Sequence, residues 1–266
     1  MEFDWTDRIV LVTGGGGGMG QAAAWRFAKA GARVFIFGRT LAALEDTAAA
    51  GEGISPVVCD VADPASLAAA METVLAEGCP YAVVHAAGIN TPDRHLVHDD
   101  PGKVASAETW RRVLEINVLG VANVLQAVSG PMAAAGGGRI VVVSSTAGHG
   151  FDVFAGAPYT ASKWAVHGLL FTARTQLAAK GIVVSEYAPG EAATPLVDKR
   201  PVLPTPEHRA AMIQPRDCAE ALFFIASQPH GMCVVQLPAY QPFGGMPPEI
   251  PSPWLGGLDI APKPES

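Results

Sequence analysis

The chain carries little positive charge and nowhere concentrates it. It has 18 lysines and arginines against 25 acids, a formal net charge of -7, and no basic run. Nucleic acid binding needs Lys and Arg to replace phosphate counterions, so DNA and RNA are not expected partners. Cysteine is also scarce. Cys59, Cys79, Cys218 and Cys233 are scattered, with no C-x-x-C pair to grip zinc or exchange disulfides. They are expected to be reduced, mostly buried, small apolar residues of a cytoplasmic protein. Met1-Glu2-Phe3-Asp4 lacks the positive start and apolar run of a signal peptide. No apolar stretch comes near the roughly 20 residues that cross a bilayer, so no membrane partner is expected. Charged residues make up only 16% and apolar ones 49%, which argues against disorder and for a chain able to bury a sizeable core without staples.

What is present is an alternation. Short apolar, β-branched runs at 9–13, 33–37, 56–59, 81–85, 140–144, 182–187 and 232–237 have the composition of strands covered on both faces. Between them, Ala-rich stretches at 20–30, 41–50, 64–77, 107–135, 159–180 and 216–227 suit helices. Strict β-then-α order implies an α/β fold: one doubly wound Rossmann domain with a seven-stranded parallel sheet and helices on both faces. Asp63-Pro64 supplies an N-cap and a proline-preset first turn, and Gly31 and Gly181 follow helices where a left-handed cap is wanted. This unit spans 1–240. The tail 241–266 is rich in proline and glycine. Its Trp254, Leu255, Leu258 and Ile260 suit either docking on a neighbouring subunit or a loosely ordered terminus.

Thr13-Gly14-Gly15-Gly16-Gly17-Gly18-Met19-Gly20 lies between the first strand and the first helix. Glycines let backbone approach a pyrophosphate, and the helix behind presents free N–H groups and a partial positive charge. Tyr159 and Lys163 stand one helical turn apart, on one face. A free phenol titrates near 10, and a nearby ammonium favours its ionised form, which suits Tyr159 to acid–base work. A serine pair, Ser144 and Ser145, ends the fifth strand, and either hydroxyl could hold a substrate oxygen beside Tyr159. His149 and Asp152 raise a Ser-His-Asp hydrolase, but all three members would share one short loop and no G-x-S-x-G elbow exists. His95, His98, His167, His208 and His230 have no metal-type spacing and default to surface or loop roles. No metal is expected.

The spacing T-G-x-x-x-G-x-G at Thr13, Gly14, Gly18 and Gly20 resembles the coenzyme loop of the short-chain dehydrogenase/reductase family, in its standard-length Y-x-x-x-K branch. Later segments match in order over roughly residues 7–237. Asp60-Val61 resembles the pair that holds the adenine. His85-Ala86-Ala87-Gly88 resembles N-N-A-G, with His85 and Ala86 departing from asparagine. Pro189-Gly190 with Thr194 resembles the segment that meets the nicotinamide carboxamide. The resemblance favours Ser145, followed by Thr146-Ala147-Gly148, as the catalytic serine and leaves Ser144 to support the turn. It also implies that Asn117 supports a water leading to Lys163, and that Lys163 binds the nicotinamide ribose. The implied catalytic set is Asn117, Ser145, Tyr159 and Lys163.

Coenzyme choice turns on Phe37-Gly38-Arg39. No acid stands at Gly38 to grip an NAD ribose, and Arg39 could pair with a 2′-phosphate, which favours NADP over NAD. The resulting expectation is an oxidoreductase moving a hydride between NADP(H) and a small carbonyl or alcohol substrate. The rivals are an NAD-preferring alcohol dehydrogenase, a non-catalytic dinucleotide-binding redox sensor, and a sugar-nucleotide epimerase or dehydratase, for whose larger C-terminal domain there is little room. Phe151, Val153, Phe154 and Leu196 suggest an apolar substrate pocket. Lys199, Arg200, His208 and Arg209 could attract an anionic carrier or simply be solvated. The resemblance implies a homo-oligomer, dimer or tetramer, and Ala- and Val-rich 107–135 and 159–180 suit close packing between subunits.

Overall fold

The alternation becomes seven strands: β1 (Ile9–Thr13), β2 (Arg33–Gly38), β3 (Ile54–Val58), β4 (Ala82–His85), β5 (Gly138–Val143), β6 (Ile182–Pro189) and β7 (Gln236–Ala239). The structure, a computed structural model, describes residues 3–150 and 155–241. Every pairing is parallel and the sheet order is β3-β2-β1-β4-β5-β6-β7. The strand order reverses between β1 and β4, and in such sheets the ligand crevice lies beyond the carboxyl ends at that point.

Side chains alternate across the strands, so each face has its own core. On one face Leu11, Phe37, Val83, Ile140, Val142 and Val184 meet α3 (Pro64–Glu77), α5 (Gly120–Ala134) and α6 (Ala157–Ala178). On the other, Val10, Val12, Ile36, Val84 and Val141 meet α1 (Gly18–Lys29), α2 (Leu41–Ala49) and α8 (Pro215–Ala226). A fully buried Leu or Phe contributes about 1.5–3 kcal/mol, so the two layers dominate stability. Asp63 caps α3 through Ala65 N–H with Pro64 behind it, and Gly31 and Gly181 take φ of 90° and 72°, as expected. All four cysteines are free; Cys59 and Cys218 are buried, but Cys233 is exposed.

Three expectations need correction. The seventh strand lies at Gln236–Ala239 rather than 232–237, because pairing with β6 puts Gln236 opposite Glu186 and runs on through Pro238. A proline is tolerated there because β7 is an edge strand; Pro56 plays the same part in β3 at the other edge. The long helix at 107–135 is not continuous. It breaks into α4 (Ala107–Leu114), a π-helical turn (Glu115–Leu119) and α5. Together Ala107–Ala134 are long and apolar enough to span a bilayer by length and composition, but Val113, Val121, Val124, Val128 and Met132 are buried in the chain's own interior. A short helix, α7 (Pro206–Ala211), carries His208 and Arg209 and adds to the helical stretches expected from sequence. Phe151, Asp152, Val153, Phe154 and the tail beyond 241 lie outside the described residues.

Candidate active site

The glycine loop is shaped by neighbours that leave no room for Cβ atoms. Gly14 has φ of 71°, and a Cβ there would come within 2.8 Å of Ala87 N; one on Gly20 would come within 2.3 Å of Gly14 O. Gly18, at φ of 56°, packs on Thr194, which ties the first loop to the segment after β6. Gly17, the N-cap residue of α1, is different: a Cβ there would meet nothing within 4 Å. The loop therefore opens outward at the helix N-terminus, where free N–H groups and the helix dipole suit a pyrophosphate. Thr13 is fully buried. Its Oγ accepts from Ala87 N–H at 3.2 Å and shares a 3.0 Å hydrogen bond with His85 Nδ1, locking the turn after β4 onto the loop. Asp60 and Val61 sit beyond β3; the Asp60 carboxylate accepts from Ala62 N–H at 3.0 Å. Arg39 is exposed at the end of β2, with no ion-pair or hydrogen-bond partner among the described residues. These positions fit a dinucleotide, and Arg39 fits a phosphate on it.

At the far side of the crevice, Met19, Ser145, Tyr159, Pro189, Gly190 and Thr194 line one pocket, so the structure brings together loop and proton donors that the sequence placed apart. Lys163 is buried one turn after Tyr159. Its Nζ lies 5.4 Å from the Tyr159 ring centroid and donates to the Val143 carbonyl at 3.1 Å. Burial pulls its pKa down to about 8, while the negative charge of Glu186 pushes the other way. Gly88 completes the contact: a Cβ there would sit 3.4 Å from Asn117 Oδ1 and 3.9 Å from Lys163 Nζ.

Asn117 owes its position to the π-turn, a distortion frequent at functional sites. Its Oδ1 accepts from Ile89 N–H at 2.8 Å, and its Nδ2 donates to Ile89 O at 2.9 Å and to Ser162 Oγ at 3.0 Å. Ser162 Oγ in turn donates to the Tyr159 carbonyl at 2.7 Å. Ser162 is thus a link between Asn117 and the Tyr159 helix turn. Sequence reading passed over it, although its place inside Y-x-x-x-K on the inward face was a usable signal.

Ser145, not Ser144, supports the turn: its Oγ accepts from Ala147 N–H at 3.2 Å and caps the 3₁₀ turn Thr146–Gly148. That bond uses a lone pair and leaves the Ser145 proton for a substrate oxygen. Ser144 is buried beside Glu186, short of good hydrogen-bond geometry.

His149 binds the buried Glu186 at 2.8 Å, as does His167 at 3.0 Å. His167 is therefore no surface residue by role, because its ring caps a buried carboxylate. The cations at Lys199, Arg200, His208 and Arg209 are also more engaged than expected. Arg200 and His208 both grip Glu191, at 2.7 and 2.9 Å, and Arg209 pairs with Asp198, so only Lys199 of the four lacks a carboxylate partner among the described residues. Asn90, Arg94, Glu191 and Arg200 join Leu196 in lining the pocket, which makes it more polar than sequence suggested.

His85 replaces the family's asparagine. It is wholly buried, its Nε2 has no hydrogen-bond partner among the described residues, and burial reinforced by the Lys163 charge drives its pKa down to about 3. The ring is neutral at physiological pH.

The family described as short chain dehydrogenase matches residues 8–202. The chain is 36% identical over 233 residues to a cis-4-hydroxycyclohexanecarboxylate dehydrogenase of Sinomonas cyclohexanicum, covering 84% of this chain and 90% of that one. It is 34% identical over 229 residues to a galactitol 2-dehydrogenase (L-tagatose-forming) of Cereibacter sphaeroides, covering 81% and 86%. A solved 3-oxoacyl-(acyl-carrier protein) reductase of Brucella melitensis superimposes with a TM-score of 0.77 at 27% identity, over 89% of this chain and 91% of that one.

Proposed function

This chain belongs to the short-chain dehydrogenase/reductase family and is an NAD(P)-dependent oxidoreductase of the alcohol/carbonyl type, and from that premise we propose that Tyr159 is its general acid and base and NADP(H) its preferred coenzyme. The observation that carries this reading is Tyr159 at the mouth of the glycine loop with the buried Lys163 ammonium 5.4 Å from its ring.

The coenzyme would be held by the loop from Thr13 to Gly20, by Asp60, Val61, Ala87 and Gly88, and by Pro189, Gly190, Thr194 and Lys163. When bound, nicotinamide supplies or accepts the hydride. Everything else falls to the chain. Ser145 donates a hydrogen bond to the substrate oxygen. Tyr159 gives that oxygen a proton in reduction and takes it back in oxidation. The Lys163 ammonium favours the phenolate through its charge, and Asn117 and Ser162 fix the backbone around Tyr159. Arg39, exposed and without a partner among the described residues, next to Gly38 where an NAD-gripping acid would stand, supports a 2′-phosphate over a bare ribose. Arg94, Glu191 and Arg200 in the pocket favour a small substrate with hydrogen-bonding groups beyond the reacting carbon.

Tyr159→Phe is expected to lower kcat about 10²- to 10⁴-fold, the usual contribution of a general acid, while NADPH still quenches or enhances fluorescence with near-native Kd. A parallel titration with NADH reads the coenzyme preference. Near-native turnover in the variant would overturn the Tyr159 assignment. NADPH binding by the native chain without turnover across a broad screen of ketones and alcohols would instead favour the sensor.

A further inference from the structure

Glu186 is a carboxylate with no exposed surface, on β6 next to the catalytic machinery, and the proton-handling set described above does not use it. Its neighbours come from four directions. His149, from the loop after β5, places Nε2 2.8 Å from Oε1. His167, on α6, places Nδ1 3.0 Å from Oε2, and Arg174 on the same helix comes to 3.7 Å. Gln236 on β7 reaches the His149 ring, and the Ser144 hydroxyl lies alongside. The spacing of the two imidazoles and the carboxylate could suit a metal ion, but the adjacent Arg174 guanidinium favours a cluster that shares protons over one that holds a dication.

Tyr159, Lys163 and His167 occupy positions i, i+4 and i+8 of α6, one above another on its inward face. Lys163 Nζ is bonded to the carbonyl of Val143, the residue next to Val142, which stands opposite Glu186 in the sheet. The charged column therefore runs from the pocket, through the lysine, to the carboxylate and its imidazoles.

We propose that Glu186, gripped by His149 and His167, is a positioning residue that keeps Lys163 an ammonium behind Tyr159. The inference rests on the assignment of Tyr159 and Lys163 as the proton-handling pair. Burial lowers the pKa of Lys163, and the Glu186 charge opposes this. Glu186 remains ionised despite its own burial, which would raise its pKa, because hydrogen bonds from His167 and His149 hold it below the usual range.

The test is Glu186→Gln, which keeps shape and removes charge. Two readouts apply. One is the alkaline limb of the pH–kcat profile for alcohol oxidation, set by loss of the Lys163 proton and expected to move at least about one pH unit toward acid. The other needs no turnover: the ultraviolet difference titration of the Tyr159 phenol, isolated by subtracting Tyr159→Phe, expected to move at least about one unit toward alkali. A purely structural role would lower kcat without moving either midpoint, and a folded variant with both midpoints unmoved overturns the proposal. If Glu186→Gln does not fold, Glu186→Gln with Arg174→Gln removes the cation left facing a neutral amide, and the same two shifts decide. Should the native chain turn over no alcohol or carbonyl, the functional reading falls, while the phenol titration still judges the coupling.

Discussion

His85 shows how one residue can bind a site together and still cost something. It replaces an asparagine, which could donate and accept through one amide, with a ring that satisfies Thr13 through Nδ1 and leaves Nε2 buried without a partner. Because burial drives its folded pKa down to about 3, below the 6.5 of a free imidazole, the unfolded chain takes up the proton first. Its contribution to stability is complete above about pH 6.5 and drains away as the pH falls from there towards 3, at about 1.4 kcal/mol per pH unit. At pH 4.5 the native protein should have lost roughly 2–3 kcal/mol on this account. His85→Asn removes the titration. Urea denaturation of both proteins at pH 7 and pH 4.5 should show the variant losing that much less stability on acidification. Equal losses would mean that the ring is already charged, or hydrated, in the folded state.

At the scale of the element, the glycine loop separates two kinds of glycine. Gly20 is packed against Gly14 O, so a methyl group there must push backbone aside, whereas Gly17 faces open space with extended backbone at φ of 178°. Gly20→Ala should cost on the order of 1–3 kcal/mol of stability. Gly17→Ala should leave stability within about 0.5 kcal/mol, yet raise the coenzyme Kd at least about 10-fold, since its methyl group would stand where a phosphate must approach the helix N-terminus. Thermal melts and coenzyme titration of the two variants distinguish these roles; a Gly17→Ala protein with native affinity would place the phosphates elsewhere. The loop itself was legible in sequence because strand, glycines and helix follow in unbroken order, and so were Tyr159 and Lys163, whose helical spacing sets their geometry. The π-turn was not legible. Residues 107–135 have the composition of one helix, and the extra residue that aims Asn117 at Ile89 and Ser162 is fixed by packing across the crevice, as with Gly120 against Val61. Glu186 was equally hidden. Inside an apolar strand a single acid gives no sign of its partners, which come from α6, the loop after β5 and β7.

For the whole molecule, α6 is the element on which the proposed catalytic pair and the expected subunit contact would converge. Its inward face carries Tyr159, Lys163 and His167, and its outward face carries Trp164 and Phe171, 50% and 71% exposed, with Gly168 between them. Val121, Val124, Val128 and Val166 lie inside the chain's own core, while Ala161 and Ala165 of α6 are exposed beside the two aromatics. Two large aromatics at i and i+7 about a glycine form a stripe that water disfavours and that a second copy could cover, with the small residue allowing close approach. A homo-oligomer joined through α6 would also stiffen the helix that fixes Tyr159 and Lys163, tying turnover to assembly. Light scattering of the native protein at micromolar concentration should return a multiple of the 27.5 kDa chain mass. Trp164→Glu with Phe171→Glu should return the monomer, because burying two carboxylates against a like surface costs several kcal/mol. The monomer should still fold, since α6 keeps its own core contacts, while kcat falls and the coenzyme Kd rises as α6, which carries Lys163, loosens. A native protein already monomeric at that concentration, or a double variant that still assembles, would remove α6 from the interface.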